Sequence, residues 1–284
     1  MLLLAAIWGS SFLFMRSATP EFGAIGLVIV RTSVAAACLL PLLMMTGKVH
    51  VVKQYWRPIL FVGLVNTAIP FCLFSYSTVL LGAGLASILN ATAPIFGALV
   101  AFFWLKDKLS PLAIFGLFLG FAGVAVLSMV RSGTDLQVSL IPIIGALLST
   151  CAYGIAACYI KQRLSGVNTL AIATGSQVFA TLILAPLALW FWPAQAPSSQ
   201  AWLQAIVLGV ACTGVAYILY FRLIANIGAA RAISVGYIVP VFGVIWGMIF
   251  LDEVITPLML TGAALILLGV SFTTGVLKFR LKAA

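Results

Sequence analysis

The sequence predicts an all-α integral membrane protein with ten transmembrane helices, arranged as two inverted five-helix repeats around a central cavity. The composition, the spacing of the charged residues and an internal repeat support this fold class. Of the 284 residues, 64% are apolar and only 7% are charged, whereas a soluble domain carries about a quarter charged residues. Such a chain cannot cover its surface against water, so we expect a lipid bilayer as its solvent.

The apolar runs are long enough to form bilayer-spanning helices, which need about 20 residues each. The runs are continuously apolar instead of alternating, which favours helices over a membrane β-barrel. The first run has no basic segment before it and no small-x-small cleavage site before Arg16, so we interpret it as a retained helix and not as a signal peptide. Charge clusters and Pro/Gly/Ser breaks delimit predicted helices at residues 2–18, 23–45, 57–80, 83–104, 111–129, 141–164, 169–192, 204–227, 230–251 and 257–277.

The basic residues predict that both termini are cytoplasmic and that the protein lies in the plasma membrane. An even number of helices places both termini on one side, and inner loops are richer in Lys and Arg than outer loops. With the termini inside, twelve basic residues lie on the inner side, Arg16 and Arg131 lie on the outer side, and Arg31 remains within a helix. The net charge is +10, but no dense basic face exists, so we expect no nucleic-acid partner.

The second half of the chain repeats the first with a shift of 146 residues. Residues 94–97 (PIFG) align with residues 240–243 (PVFG), and a shift of 145 near the N-terminus places Trp8 on Tyr153. The predicted units are residues 1–130 and 141–277, followed by a short basic cytoplasmic tail at 278–284. Because each unit has an odd number of helices, the two units cross the membrane in opposite directions, and inverted repeats place a substrate site near the midplane.

Each half has a proline in its fourth helix, then L-x-[DE]-x-[LI]-[ST]-P, then a fifth helix containing G-x6-G. With the W-G-S-S of residues 8–11 and Arg31, this pattern resembles the drug/metabolite transporter superfamily, and in particular its ten-helix EamA-type exporters. The resemblance covers essentially the whole chain. It implies a basket-like bundle in which the fifth and tenth helices lie outside a central cavity. Within that family, the mid-membrane aromatic residues are similar to those of amino acid exporters, including exporters of aromatic amino acids.

Arg31 is the one basic residue predicted to lie deep in the bilayer. It falls about eight residues, or roughly 12 Å of helical rise, inside the outer end of the second helix, which is too deep for its charge to reach the interface easily. A buried arginine needs a partner. Arg31 either contacts a substrate carboxylate or bonds to helix-end carbonyls and neighbouring hydroxyls.

Aromatic and polar residues at mid-depth predict the rest of a substrate site. A tyrosine hydroxyl at this depth needs a partner or a wet cavity. Trp246 lies about 180° around the ninth helix from Tyr237, so we exclude it. Packing and interhelical hydrogen bonding are the alternative roles for these side chains. The predicted substrate-binding residues are Trp8, Arg31, Tyr76, Asn90, Tyr153, Tyr217 and Tyr237.

Two prolines and two acids mark the ends and bends of the repeated helices. Pro94 and Pro240 each remove a backbone hydrogen bond, which predicts either a gating hinge or a static kink. Asp107 and Glu253 precede the fifth and tenth helices, and we predict that they cap those helices and fix the turn, with substrate contact as the alternative. None of the five acids lies within a predicted span, so we expect no intramembrane carboxylate that couples transport to protons or cations.

These patterns predict the export of a small molecule, most simply an amino acid with an aromatic or other apolar side chain. A carrier of organic anions or phosphate compounds is the alternative, but it would need two or more convergent basic residues. An intramembrane enzyme is disfavoured because the spans contain no histidine, no carboxylate pair and no nucleophile with an available base, so we predict no catalytic residue. The single His50 and five scattered cysteines predict no metal site, and we expect no cofactor.

Overall fold

The computed structural model describes residues 1–129, 140–228, 232 and 234–276, and within these ranges every regular element is a helix. The cytoplasmic tail predicted at 278–284 and the predicted unit ends at 130 and 277 lie outside the described residues. The helices are α1 Leu2–Met45, α2 Val49–Gln54, α3 Trp56–Leu81, α4 Ala83–Leu105, α5 Pro111–Leu127, α6 Leu140–Arg163, α7 Thr169–Phe191, α8 Ser199–Ile227, α9 Val235–Leu251 and α10 Pro257–Thr273.

Helix α1 is interrupted at Gly23, where the predicted second helix begins. Its 44 residues correspond to roughly 65 Å of helical rise, about twice the thickness of a bilayer core. Gly23 has φ 69° and ψ 162°, a conformation that suits a residue without Cβ. Pro20 lies one turn earlier and cannot donate a backbone hydrogen bond. These two residues divide α1 into two segments, each long enough to cross the membrane.

Within the described part of the chain, six helices are long and apolar enough to span a bilayer, namely α1, α3, α4, α6, α7 and α8. Helices α5, α9 and α10 are apolar and have 17 residues each. Most helix ends lie within a few residues of the predicted ones. Helix α8 begins earlier than predicted because the Ser198 Oγ accepts a hydrogen bond from the Ala201 backbone N–H and caps the helix. The short helix α2 was not predicted.

Backbone details recur at the repeat spacing of 146 residues. Gly82 and Gly228 have φ of 84° and 81° immediately after α3 and α8. Lys106 and Asp252, at the ends of α4 and α9, are the two non-glycine residues with positive φ in the described chain, at 60° and 52°. The sequence repeat is therefore matched by a repeat of local conformation.

The two halves of the chain contact each other through glycines at equivalent positions. A Cβ on Gly9 would lie 2.7 Å from the Phe242 Cβ, so α1 packs directly on the backbone of α9. A Cβ on Gly154 would lie 2.8 Å from the Gly97 backbone nitrogen, so α6 packs in the same way on α4. Small residues permit such close approach between membrane helices. The two halves are therefore in close backbone contact at two places that the repeat relates to each other.

Helices α5 and α10 pack against one another along the glycines of their repeated motif. A Cβ on Gly269 would lie 2.6 Å from the Gly116 carbonyl oxygen, and a Cβ on Gly123 would lie 2.8 Å from the Gly262 carbonyl oxygen. These positions tolerate only hydrogen where the two helices touch. The motif glycines therefore serve helix packing.

The predicted capping roles of Asp107 and Glu253 are wrong. The caps of α5 and α10 are Ser110 and Thr256, whose hydroxyl oxygens accept hydrogen bonds from the backbone N–H groups of Ala113 and Met259. Each Ser or Thr directly precedes the proline that opens the helix, whereas the acids lie three residues further back. Asp107 instead forms an ion pair with Lys161 at 3.0 Å. Glu253 contacts the other half of the chain.

Replacement of Gly269 by Ala should destabilise the protein, because the added methyl group overlaps the α5 backbone. Overpacking of this kind costs about 1–3 kcal/mol. We expect a lower midpoint of thermal unfolding in detergent than for the wild type. The matched control is Gly97→Ala, because no described atom lies within 4 Å of a Cβ at Gly97; equal loss of stability in both variants would contradict this account.

Candidate functional site

A cavity of about 380 Å³ lies between helices of both halves. Its described lining comes from α1, α3 and α4 of the first half and from α6, α8 and α9 of the second half. No described residue of α5 or α10 contributes to it. The volume is within the usual range of small-ligand sites, roughly 300–1,000 Å³.

The cavity lining follows the internal repeat. Most of its residues form pairs whose members are separated by 145 or 146 positions, so that each half supplies one member of each pair. The ring contacts obey the same relation: Trp8 and Tyr220 lie 5.2 Å apart between centroids, and their equivalents Tyr153 and Phe74 lie 6.2 Å apart. The pairs are Trp8 with Tyr153, Asn66 with Cys212, Phe71 with Tyr217, Phe74 with Tyr220, Asn90 with Gly236, and Ala93 with Val239.

The remaining lining residues have no equivalent in the cavity and make one side of it different from the other. They are Ser11, Phe12, Met15, Arg31 and Thr213, all from α1 except Thr213 of α8. Arg31 and Thr213 are in direct contact. Six of the seven aromatic residues in the described lining are therefore paired by the repeat, whereas Phe12 and the charged Arg31 are not.

The structure brings together five of the seven residues predicted to bind substrate. All five line the cavity, although they come from four different helices: Trp8, Arg31, Asn90, Tyr153 and Tyr217. Trp8 and Arg31 lie on opposite sides of the Gly23 break in α1.

The prediction that Tyr76 and Tyr237 face this cavity is wrong. Tyr76 is 43% exposed on the outside of the bundle, because it lies two residues from Phe74, which points inward. The Tyr237 hydroxyl bonds to the Thr274 hydroxyl beyond the end of α10, so α9 is rotated away from the predicted orientation. Trp246 also lies outside the lining, and its indole Nε1 donates to the Ala6 carbonyl at 3.0 Å.

Arg31 is a buried cation that faces the cavity. Only 5% of the residue is exposed, its Nε donates to the Thr213 hydroxyl at 3.0 Å, and its guanidinium carbon lies 3.7 Å from the centre of the Phe71 ring. One Nη also points at the Met15 sulfur, 3.7 Å away. These contacts hold the guanidinium in place by hydrogen bonding and a cation–π interaction.

No described carboxylate neutralises Arg31. Glu21 bonds to Ser198, Asp107 pairs with Lys161, Glu253 bonds to the start of α4, and Asp252 is exposed at the end of α9. Asp135 lies outside the described residues. A buried charge without a counterion is costly, and the described partners of this guanidinium are the Thr213 hydroxyl, the Met15 sulfur and the Phe71 ring.

Several lining residues were not predicted. Asn66 is a polar residue within an apolar helix, and intramembrane polar residues mark functional sites. Phe71 could have been found because it is the repeat equivalent of Tyr217. Tyr220 could have been found because it lies three residues after Tyr217, on the same face of the helix. Ser11 belongs to the W-G-S-S motif but was not assigned to the site, and Cys212 and Thr213 gave no sequence signal, because Cys and Thr also occur at ordinary helix contacts.

The two prolines proposed as gating elements differ in their surroundings. Helix α4 is broken by a turn at Ala91 and Thr92, directly before Pro94. The Thr92 hydroxyl at this break donates to the Thr150 hydroxyl of α6 at 3.1 Å. Pro240 lies inside α9 without a break. A gating role for either proline remains a prediction.

An all-helical bundle of apolar spans around an interior cavity is the architecture of a membrane transporter. The model of the EamA-like transporter family matches residues 1–129 and again residues 140–275. The chain therefore belongs to this family, part of the drug/metabolite transporter superfamily, and it is a membrane transporter. The resemblance inferred from the repeated motifs is confirmed.

Similar proteins extend over the whole chain. It is 23% identical to the uncharacterized transporter YvbV of Bacillus subtilis, over 94% of this chain and 88% of that protein. It is 26% identical to a probable terminal-alkyne amino-acid exporter of Streptantibioticus cattleyicolor, over 95% of this chain and 90% of that protein. A crystal structure of a protein with 19% sequence identity superimposes with a TM-score of 0.68, covering 99% of this chain and 98% of that one, which shows a shared fold.

Replacing Tyr237 by Phe should lower stability without altering the preference among substrates, because its hydroxyl bonds to Thr274 and not to the cavity. Loss of one such bond costs about 1 kcal/mol. Trp8→Ala should change the substrate preference, since Trp8 forms part of the cavity wall. Thermal unfolding in detergent measures the stability of Tyr237→Phe, and uptake competition with a panel of small metabolites in proteoliposomes measures the substrate preference of both variants. A changed preference in Tyr237→Phe alone would show that α9 is oriented differently.

Proposed function

We propose that this protein exports amino acids across the plasma membrane by alternating access through the central cavity. The observation that carries the proposal is the buried, unneutralised Arg31 in a cavity whose other walls are mainly aromatic. An amino acid supplies a carboxylate for the cation and an apolar side chain for the aromatic walls.

The carboxylate of the substrate binds Arg31. The Arg31 Nε is already used by Thr213, so the Nη groups are the donors that remain for a ligand. Charge-assisted bonds between guanidinium and carboxylate are short and strong, and a dry cavity strengthens them further. The Thr213 contact fixes the guanidinium before the substrate arrives, which lowers the entropy lost on binding.

The ammonium group of the substrate needs oxygen acceptors. No described carboxylate lines the cavity, but Asn66 and Asn90 place two carboxamides there, and Tyr153 and Tyr217 add hydroxyls. Carboxamide and hydroxyl oxygens accept hydrogen bonds without fixing a negative charge. A neutral acceptor set suits a zwitterion, whose own carboxylate is matched by the single cation Arg31.

The aromatic walls select for the side chain of the substrate. Trp8, Phe71, Phe74 and Tyr220 provide flat apolar surfaces, and aromatic pairs stack or meet edge to face with favourable energies of about 0.5–1.5 kcal/mol beyond burial. This supports a preference for aromatic or other apolar amino acids. The similarity to a probable terminal-alkyne amino-acid exporter agrees with an apolar side chain.

The proposed mechanism of alternating access includes ten spans arranged as two inverted repeats. Counting α1 as two spans divided at Gly23, and omitting the short α2, gives five helices in each of the units 1–130 and 141–277. The repeat-related glycine contacts and the paired cavity lining support exchange between two equivalent arrangements of the halves. Pro94 and Pro240, which lie in the fourth helix of each unit, are the candidate hinges.

An organic anion or phosphate compound is the competing substrate class. Two or more convergent cations would favour it, whereas Arg31 is the one cation in the described lining. A single carboxylate is the better match.

Arg31→Gln should abolish discrimination between an amino acid and its amide, because the amide lacks the carboxylate that Arg31 binds. We expect the wild type to exchange labelled phenylalanine at least tenfold faster than phenylalaninamide in proteoliposome counterflow, since each 1.4 kcal/mol is a factor of ten. Arg31→Lys should retain part of the preference, because the charge remains but the planar fork is lost. Equal use of acid and amide by the wild type would overturn the proposed site.

Both termini should be cytoplasmic. In a variant with the five native cysteines replaced, a cysteine at Gln195, between α7 and α8, should react with a membrane-impermeant maleimide added to the outside of intact cells. A cysteine at Lys53, in α2, should react only after the cells are opened. The opposite pattern would reverse the proposed orientation while leaving the fold unchanged.

A further inference from the structure

Glu253 bridges the two halves of the chain at the edge of the bundle. Its Oε1 accepts a hydrogen bond from the Ala83 backbone N–H at 2.6 Å, and its Oε2 accepts one from the Gly84 N–H at 2.9 Å. Ala83 and Gly84 form the first turn of α4, whose free N–H groups and helix dipole favour an anion. A carboxylate of the second half thus satisfies a helix terminus of the first half.

The chain around this carboxylate is shaped to receive it. A Cβ on Gly82 would lie 2.6 Å from the Glu253 Oε1, and one on Gly84 would lie 3.2 Å from Oε2. A Cβ on Gly247 would overlap Oε2 as well. We call Gly82, Gly84 and Gly247 the glycine cradle. Because these three residues have a hydrogen where other residues have a Cβ, they leave room for the carboxylate.

In the sequence of the other repeat, Gly228 is the one cradle glycine that is kept, and Ala230 and Ala101 stand at the other two equivalent positions. A shift of 146 places Asp107 on Glu253 and Ala101 on Gly247. Aspartate is one methylene shorter than glutamate, and the alanine methyl group occupies the volume that Gly247 leaves empty. Asp107 forms its ion pair with Lys161 instead, and both side chains are at least half exposed. The two repeat-related acids therefore make different contacts, Glu253 with backbone N–H groups of α4 and Asp107 with the Lys161 side chain of α6.

We propose that Glu253 and the glycine cradle form a latch that holds α4 against the end of α9 on one side of the membrane and opens once in each transport cycle. The proposal rests on alternating access, and in the proposed topology the latch is on the outer side. Between the latch and the cavity, the Ser87 hydroxyl of α4 reaches the Pro240 carbonyl of α9 at 3.5 Å. The latch therefore closes the path between α4 and α9, and its release gives access to the cavity from that side.

Cys212 is the reporter of opening, because it lines the cavity and is 1% exposed. The experiment uses full-length protein in which the other four cysteines are replaced by alanine. A membrane-impermeant methanethiosulfonate is added to one side of the membrane at a time, and the rate of Cys212 modification is measured. No substrate is required, so failure to exchange any amino acid would overturn the proposed function without affecting this result.

Glu253→Gln should raise the rate of Cys212 modification from the latch side by roughly tenfold, because the carboxamide keeps the shape but loses the charge-assisted bonds. Gly247→Ala should act in the same direction, since its methyl group displaces the carboxylate. Modification from the opposite side should not rise.

The matched control is Glu21→Gln. Glu21 also accepts a hydrogen bond from a backbone N–H of the other half, that of Ser198 at the start of α8, but it touches neither α4 nor α9 through any described hydrogen bond. It should leave Cys212 modification at the wild-type rate. Folded Glu253→Gln and Gly247→Ala proteins that are modified at the wild-type rate, or a Glu21→Gln protein that opens equally, would overturn the latch.

Discussion

Close backbone contact between the two halves of the chain is the constraint on which the rest of the structure depends. In a bilayer, helices gain little from burying apolar surface against one another, because lipid tails are equally apolar. Association must then come from close packing. Gly9 of α1 packs on α9 and Gly154 of α6 packs on α4, and both contacts leave room only for the hydrogen of a glycine.

The glycine contacts also explain why a cavity can persist inside an apolar bundle. They join α1 to α9 and α6 to α4, and these four helices carry Trp8, Asn90 and Tyr153 into the space between them. The cavity walls are bulky aromatic residues that meet in repeat-related pairs and keep the helices apart there. Small residues at the contacts and large ones at the cavity therefore set the spacing of the bundle.

The helices and the repeat could be predicted from sequence because the bilayer imposes them. A span must satisfy its own backbone and must be about 20 apolar residues long, so helix ends such as those of α4 and α7 were found within a residue or two. Helix rotation could not be predicted in the same way. Tyr237 lies in a helix that is apolar on all sides, and periodicity carries no information when every face is apolar.

Contacts between distant segments were the other limit. Glu253 lies in a short acidic turn before α10, and local rules assign it to the nearest helix terminus. Its partner is the N-terminus of α4, 170 residues away. The fold brings the N-terminus of α4 closer to the Glu253 carboxylate than the N-terminus of α10, which follows in sequence. Asn66 was missed for a similar reason: a polar residue in a span marks a site, but only the fold shows which cavity it reaches.

The symmetry of the cavity and the asymmetry of its charge serve different needs. Two equivalent arrangements of the halves have similar energies only if the contacts that exchange are alike, and the paired aromatic lining meets this condition. An amino acid has no two-fold symmetry, so the proposed recognition of its carboxylate at one end needs a difference between the halves. Arg31 supplies that difference, and Ser176 stands at its repeat-related position. In the proposed mechanism, the residues shared by the two repeats allow the exchange between the two arrangements, and the residues that differ, above all Arg31, bind the substrate.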